Sequence, residues 1–205
     1  RRMPEQRNRI LIDHMSDVLL PYNQYHRENL IRENIHPSKI FCTGNTTFEA
    51  MREFAPQINN SDILTRLRLE SKGYILVTAH RSENVDNIEY LHKIIEATGR
   101  IAKRFKREVI YPMHPRTKSK LTSFEIPKGV RIMDPLGFYD FNHLLKESFC
   151  VVSDSGTAAE EGLFYKVPNV SLRMATERPE TVESGATIIS GMDLNNIVES
   201  VETAV

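Results

Sequence analysis

Four short polar stretches in this 205-residue chain combine residue types that handle protons and anions. His80 is followed by Arg81, Glu83 and Asn84; His114 by Pro115 and Arg116; Ser153 to Thr157 reads Ser-Asp-Ser-Gly-Thr; and Arg173, Thr176, Glu177, Arg178 and Glu180 crowd a fourth segment. A histidine beside an arginine offers a group that titrates near neutral pH next to a fixed charge suited to phosphate oxygens. Ser155, Gly156 and Thr157 lead into the helix-forming residues 158–161. Such a start aims backbone N–H groups and the positive end of a helix dipole at a ligand, and Gly156 permits close approach. The bland alternative is that Asp154 or Ser155 merely caps the helix. The lysine of a P-loop and the G-x-G-x-x-G pattern are both absent from this segment, and a nucleophile elbow would need glycine where Ser153 stands.

Other side chains are more ambiguous. His80, His114 and His143 could be read as metal ligands, but no carboxylate or cysteine stands beside them at a ligand-like spacing. Glu5 lies early in a helical stretch, where it could project a carboxylate toward a cleft or simply interact with the helix dipole. Phe138, Tyr139 and Phe141 could stack on a base or fill the core.

The elements that must position these residues show in the apolar pattern. From residue 72 onward, apolar runs at 74–78, 109–111, 130–133, 149–152, 167–172 and 186–189 alternate with helical spacing, clearest in Ile88, Leu91, Ile94, Ile95, Ile101, Ala102 and Phe105. Nearly continuous Val/Ile runs predict strands buried on both faces, hence an α/β fold with a Rossmann-like parallel sheet flanked by helices and right-handed crossovers. In such sheets ligands bind beyond the carboxyl ends of the strands, and each of the four polar stretches directly follows a run. All four loops are expected to face one cleft.

Residues 1–70 differ. Helices are expected over 4–14, 24–33 and from Thr46, with short apolar runs at 18–20 and 39–43 and a turn at Gly44 and Asn45. Two such units are too few for a sheet of their own. The expectation is that residues 1–45 are the tail of an incomplete N-terminal Rossmann-like domain and residues 46–205 a C-terminal Rossmann-like domain. The boundary could also fall in the polar segment 57–62.

Composition narrows the classes. With 27 Lys+Arg against 27 Asp+Glu, the chain has no net field to hold a nucleic acid or an anionic membrane, so an anionic ligand must be held locally. Cys42 and Cys150 stand far apart with no metal or disulfide pattern. No apolar run approaches the roughly 20 residues of a membrane span, and the opening RRMPEQRNRI is unlike a signal peptide, so a cytoplasmic location is expected. The start without methionine suggests a piece of a longer polypeptide.

The set His80-Arg81-x-Glu83-Asn84, Tyr111-Pro-x-His114-Pro-Arg116, Ser153-Asp-Ser-Gly156 with Glu160 and Glu161, and Thr176-Glu-Arg-Pro-Glu180 resembles the non-hydrolysing UDP-N-acetylglucosamine 2-epimerase family. Pro4-Glu5-x-x-Asn8-Arg9 and Ile40-Phe-x-Thr-Gly-Asn45 follow the same order, so the resemblance spans nearly the whole chain. It implies a two-domain GT-B-like fold that binds a UDP-sugar between Rossmann-like domains, without metal or nicotinamide cofactor. The implied reaction inverts C2 of the sugar by eliminating UDP, exchanging the C2 proton and adding UDP back.

The resemblance also implies roles. Ser155 and Gly156 would bind the pyrophosphate, Glu161 the ribose hydroxyls, Phe141 would line the uridine pocket and Arg178 would oppose the phosphates. His80 and Glu5 would be catalytic. Arg81 and His114 match positions that hold a second, activating UDP-GlcNAc in bacterial members. Thr157, Ala158 and Ala159 depart from the Gly-Ile-Gln of many members. A homodimer is implied for the full-length protein, and the fragment alone is expected to be nearly inactive. A modified UDP-sugar as substrate and a UDP-sugar glycosyltransferase of the same architecture are the competing readings.

Overall fold

The computed structural model describes residues 4–205, apart from the side chains of residues 4–6, 122 and 123. Residues divide into two compact units, 1–52 and 53–205.

In the first unit, α1 (Pro4–Met15) begins with proline, whose fixed φ and missing N–H suit a first helical turn. α2 (Gln24–Arg32) is capped by Asn23, whose side chain accepts the His26 N–H at 2.9 Å. α3 (Thr46–Glu53) follows Gly44, which takes φ +89°. The two apolar runs predicted as strands meet only as a parallel bridge between Leu19 and Ile40, flanked by the hydrogen bonds Leu19 N–H to Lys39 O and Phe41 N–H to Leu19 O. Leu19, Ile35 and Ile40 form a small core with Leu30 and Ile31 against it.

The second unit begins with α4 (Ala55–Asn59) and α5 (Ile63–Leu67). Next come β1 (Tyr74–Thr78), α6 (Ser82–Val85), α7 (Ile88–Phe105), β2 (Glu108–Pro112), α8 (Pro115–Lys118) and β3 (Val130–Met133). The unit ends with α9 (Phe138–Lys146), β4 (Cys150–Ser153), α10 (Gly156–Tyr165), β5 (Asn169–Ser171), α11 (Pro179–Glu183), β6 (Thr187–Ile189) and α12 (Leu194–Ala204). The six strands make one sheet in the order β3-β2-β1-β4-β5-β6, and every neighbouring pair is parallel, as expected from their continuous apolar runs.

Alternation along the strands builds two cores. Ile75, Val77, Val109, Tyr111 and Val152 point to one face, where α7 and α12 pack against each other. Tyr74, Leu76, Ile110 and Val151 point to the other, with Ile63 of α5, Leu144 and Leu145 of α9 and Ala158 of α10. α7 carries its buried residues on one stripe and is capped by Asn87, which accepts from the Glu89 and Tyr90 N–H groups. At its middle, Gly99 lies against Pro127 so closely that a methyl there would meet the proline ring at 2.4 Å.

The strand order reverses direction between β1 and β4. In a sheet of this order, helices after β1 and after β4 diverge to opposite faces and leave a crevice at the strands' carboxyl ends. The register Thr78↔Ser153 sets the exits of β1 and β4 side by side at that crevice.

Candidate functional site

The two exits at the crevice are joined by one buried carboxylate. Asp154, fully buried, accepts the His80 N–H with both oxygens at 3.1 Å, the Arg81 N–H at 2.9 Å and the Asn84 side-chain amide at 3.0 Å. Its own carbonyl accepts from Arg81 Nε at 3.0 Å. Asn84, also buried, reaches on to the Leu172 carbonyl at 3.1 Å, so the exits of β1, β4 and β5 are tied together. Below the loop, the Tyr111 hydroxyl donates to the Ala79 carbonyl at 3.1 Å, and burial, with Asp154 nearby, pushes that phenol's pKa up. A buried anion needs such a set of donors, and together they fix the backbone of His80 and Arg81. The His80 ring is more than half exposed, with Nδ1 3.6 Å from Asp154 Oδ1.

Capping of α10 falls to Ser155 and not to Asp154. Ser155 accepts the Ala158 N–H at 3.4 Å, and its own N–H donates to Ser153 Oγ at 2.9 Å. The helix therefore starts at Gly156, with the orphan N–H groups of its first turn at the crevice. Around that start stand charged side chains from the segment after β5. A methyl built on Gly156 would touch Glu177 Oε1 at 3.6 Å and lie 3.9 Å from both Arg173 Nη1 and Arg178 Cγ. Glu177 pairs with Arg173 at 2.6 Å and with Arg81 at 3.4 Å. Arg178 Nε lies 2.8 Å from Glu160 Oε1, an ion pair whose N–H is not aligned for a hydrogen bond.

Glu161 sits on the adjoining face of α10, toward α9, and is buried. Burial raises its carboxyl pKa to about 7; the Asn142 side chain opposes this shift and neighbouring Glu160 adds to it. Phe141 on α9 is partly buried against the same core as Leu144 and Ala158. Phe138 and Tyr139 are exposed and stack edgewise on each other, with Phe54 beside both.

Thus Ser155, Gly156, Arg178, His80 and Arg81 gather around one helix start, with Glu161 and Phe141 on the side facing α9. His114 is elsewhere: exposed at the exit of β2, it caps α8 by accepting the Arg116 N–H at 3.2 Å, while Arg116 pairs with Asp86 at 2.8 Å. His143 Nδ1 lies 2.6 Å from the Ile58 carbonyl. The side chain of Glu5 lies outside the described residues. Among the described residues, no three His, Cys, Asp or Glu side chains stand close enough to share a metal ion, and no helix is long and apolar enough to cross a membrane. Two grooves, of about 400 Å³ beside Ile88, His92 and Phe124 and about 560 Å³ beside Ala102, Lys103 and Pro127, include none of these residues.

Sequence reasoning passed over Arg173 and Glu177 as individuals and read Asp154 only as a possible cap. Asp154's donors lie 70 to 74 positions upstream, so no local pattern marks them.

Strand order and an open helix start ringed by arginine–carboxylate pairs at the switch point define a Rossmann-like α/β protein, and the solved structures it superposes on are of the GT-B-like class. The family model described as UDP-N-acetylglucosamine 2-epimerase matches residues 1–205. The UDP-N-acetylglucosamine 2-epimerase of Methanocaldococcus jannaschii is 37% identical over 98% of the chain, and that match spans 58% of the relative's length. The crystal structure of the Methanocaldococcus jannaschii UDP-GlcNAc 2-epimerase in complex with UDP-GlcNAc and UDP superposes with a TM-score of 0.89 at 37% identity, over 98% of this chain and 58% of that one. A UDP-2,3-diacetamido-2,3-dideoxy-D-glucuronate 2-epimerase from Pseudomonas aeruginosa is 34% identical over 99% of the chain and 56% of its own length. The chain belongs to the UDP-N-acetylglucosamine 2-epimerase family and spans little more than half the length of these relatives.

Proposed function

We propose that the protein carrying this chain is an isomerase that interconverts UDP-GlcNAc and UDP-ManNAc, and that residues 53–205 supply its diphosphate-binding crevice. The observation that carries this reading is the convergence of the α10 start, Arg173, Arg178 and the Asp154-held His80–Arg81 backbone on one volume. That surround suits a phosphate pair. In the reaction, the C1–oxygen bond to UDP breaks while a base takes the C2 proton, leaving a 2-acetamidoglucal. A proton then enters C2 from the opposite face and UDP adds back to C1. Such a step needs acid/base groups near C2 and stabilisation of the departing diphosphate charge.

In this reading the Gly156 and Ser155 backbone and the helix dipole hold the diphosphate, Arg178 adds positive charge, Glu161 accepts from the ribose hydroxyls and Phe141 packs beside the base. His80 stands nearest the reacting sugar, and Glu5 is the acid/base partner. Nicotinamide is not required, since elimination and re-addition involve no net redox change, and in this reading the helix start and Arg178 meet the diphosphate charge without a metal. Arg81 and His114 would border a second nucleotide-sugar, with Arg81 at the crevice and His114 one strand away.

Residues 1–45 are assigned to an N-terminal Rossmann-like domain, a reading supported by the exposed apolar side chains of Leu11, Ile12, Met15, Val18, Leu20 and Phe41. Residues 46–205 are assigned to the C-terminal one, although the contacts of α3 group it with the first unit up to Arg52. The protein is proposed to act as a cytoplasmic homodimer, and the isolated 205-residue chain to turn over little substrate.

The test is incubation of the full-length protein with UDP-GlcNAc in D2O followed by proton NMR. Deuterium at C2 together with a manno product is expected; free UDP with the sugar configuration unchanged contradicts the reading. A diacetamido-uronate substrate is the second reading, favoured by the Pseudomonas relative, and the same assay with that sugar separates the two. A glycosyltransferase would tolerate Glu5→Gln, whereas the epimerase loses turnover with UDP binding kept.

A further inference from the structure

The most crowded point of the crevice is occupied by a side chain of the protein itself. The Glu177 carboxylate lies against the start of α10, with one oxygen 2.6 Å from Arg173 Nη2 and the other 3.4 Å from Arg81 Nη2. The latter oxygen also stands 3.6 Å from the point a methyl on Gly156 would occupy. Three positive features therefore converge on a single carboxylate: a helix N-terminus, a buried guanidinium and a partly buried one.

Arg173 is the least expected of the three. It is only 8% exposed, and its Nη1, 3.9 Å from the same point, has no hydrogen-bond partner. A guanidinium is planar and presents its donors as a fork suited to several oxygens at once, and a carboxylate bound through one nitrogen leaves part of that fork unused. A diphosphate offers more oxygens and more charge than Glu177 does. Burial pushes the Glu177 carboxyl pKa up, but the hydrogen bond from Arg173, its own backbone N–H and the charges of Arg173 and Arg81 bring it below the usual range, so the side chain is a full anion at neutral pH.

We propose that Glu177 is a built-in competitor for the diphosphate seat: substrate entering at Gly156 displaces the Glu177 carboxylate, and Arg173 passes from Glu177 to the incoming phosphate and becomes a direct ligand. This rests on the nucleotide-sugar reading above and adds two residues to it. Displacement lowers affinity by the strength of the internal pair, and the same pair keeps Arg173 and Arg81 oriented for the ligand. Glu177 thereby sets how readily diphosphate is released as well as how tightly it is held.

Calorimetric titration of the complete polypeptide with inorganic pyrophosphate and with UDP, at fixed pH and ionic strength, tests this. Glu177→Asp keeps the charge but is one methylene shorter and cannot bridge both guanidinium groups. It is expected to tighten both ligands by roughly 5-fold or more, within the range of ordinary coupling between sites. Glu177→Gln is expected to tighten them at least as much. Arg173→Gln should weaken both by about 10-fold, as loss of a charge-assisted contact does, and should abolish the gain from Glu177→Asp in the double variant. If Arg173→Gln fails to fold, Arg173→Lys takes its place, because a single ammonium keeps the charge without the fork.

An unchanged affinity in Glu177→Asp, with tightening only in Glu177→Gln, means repulsion through space and overturns the displacement proposal while leaving the nucleotide-sugar reading intact. Additive effects in the double variant overturn it too. A wild-type protein that binds neither pyrophosphate nor UDP overturns both.

Discussion

The exits of β1 and β2 carry nearly the same letters, a histidine with an arginine beside or shortly after it, and both histidines are exposed, yet what holds their backbones and what lies beside them differ. At the β1 exit, His80 and Arg81 have their backbone held by the buried Asp154 and lie next to the α10 start. At the β2 exit, His114 caps the four-residue α8 and Arg116 makes a surface ion pair with Asp86. Position explains the contrast. β1 borders β4, where the strand order reverses and the crevice opens, whereas β2 lies one strand further out between β1 and β3. Residue type supplies the chemistry, and the topological switch point decides which copy can use it.

Asp154 is the residue on which the β1 exit depends most. Asp154→Ala leaves three donors without their acceptor in a buried site, and a loss of about 3 kcal/mol in denaturant-unfolding stability is expected. Turnover in the surviving folded protein should fall by roughly 10²-fold, because the His80 loop loses its geometry. Stability unchanged after this substitution would show that the two exits are equivalent after all.

Glu161 gives the next effect through pH. Its folded pKa of about 7 lies above the usual carboxylate value. The folded state then holds a proton that the unfolded state has released between roughly pH 4.5 and 7, so stability falls as pH rises through that window and levels off above it. Glu161→Gln should remove the slope and leave the protein more stable at pH 8 by at most about 3 kcal/mol, read from urea unfolding at pH 5 and pH 8. If Glu161 accepts from the ribose hydroxyls as proposed, UDP affinity should rise from pH 6 to pH 8 more steeply in the unmutated protein than in Glu161→Gln, where only the ionisation of the terminal phosphate remains.

Single side-chain removals at the two exits should separate in the same way. His80→Ala should lower turnover by about 10²-fold or more, in the range of general acid–base contributions, whereas His114→Ala should leave UDP affinity at the α10 start unchanged and cost about 1 kcal/mol or less as a lost cap. Smallest of all, Asp86→Asn removes an exposed partner of Arg116 and Lys120 and should not move the unfolding midpoint measurably. A loss of UDP affinity at the α10 start in His114→Ala would contradict the assignment of the diphosphate seat to the β1 exit.

All six strands were legible in the sequence to within about two residues because strands of a doubly covered parallel sheet are continuous apolar runs. The helix start at Gly156 was equally legible, since its serine and glycine act locally. The first unit was less so: the runs around Leu19 and Ile40 have strand composition, but they pair only with each other, and one bridge does not make a sheet. Asp154 escaped because a carboxylate before Ser-Gly looks like a cap, and only the register of β1 with β4 turns it toward His80 and Arg81. Arg173 and Glu177 escaped for a related reason. In the sequence they stand only as members of the polar stretch after β5, and their pairing and their part at the site come from the helix that ends up beside them.

Diphosphate is proposed to bind at the switch point between β1 and β4, and amide chemical-shift mapping during titration with UDP is the decisive check. Saturable shifts at His80, Arg81, Gly156, Thr157 and Arg173, with Arg116 and Thr117 unmoved, are the predicted result. Saturable binding with those five amides unmoved, or with the shifts gathered around α8, would contradict it.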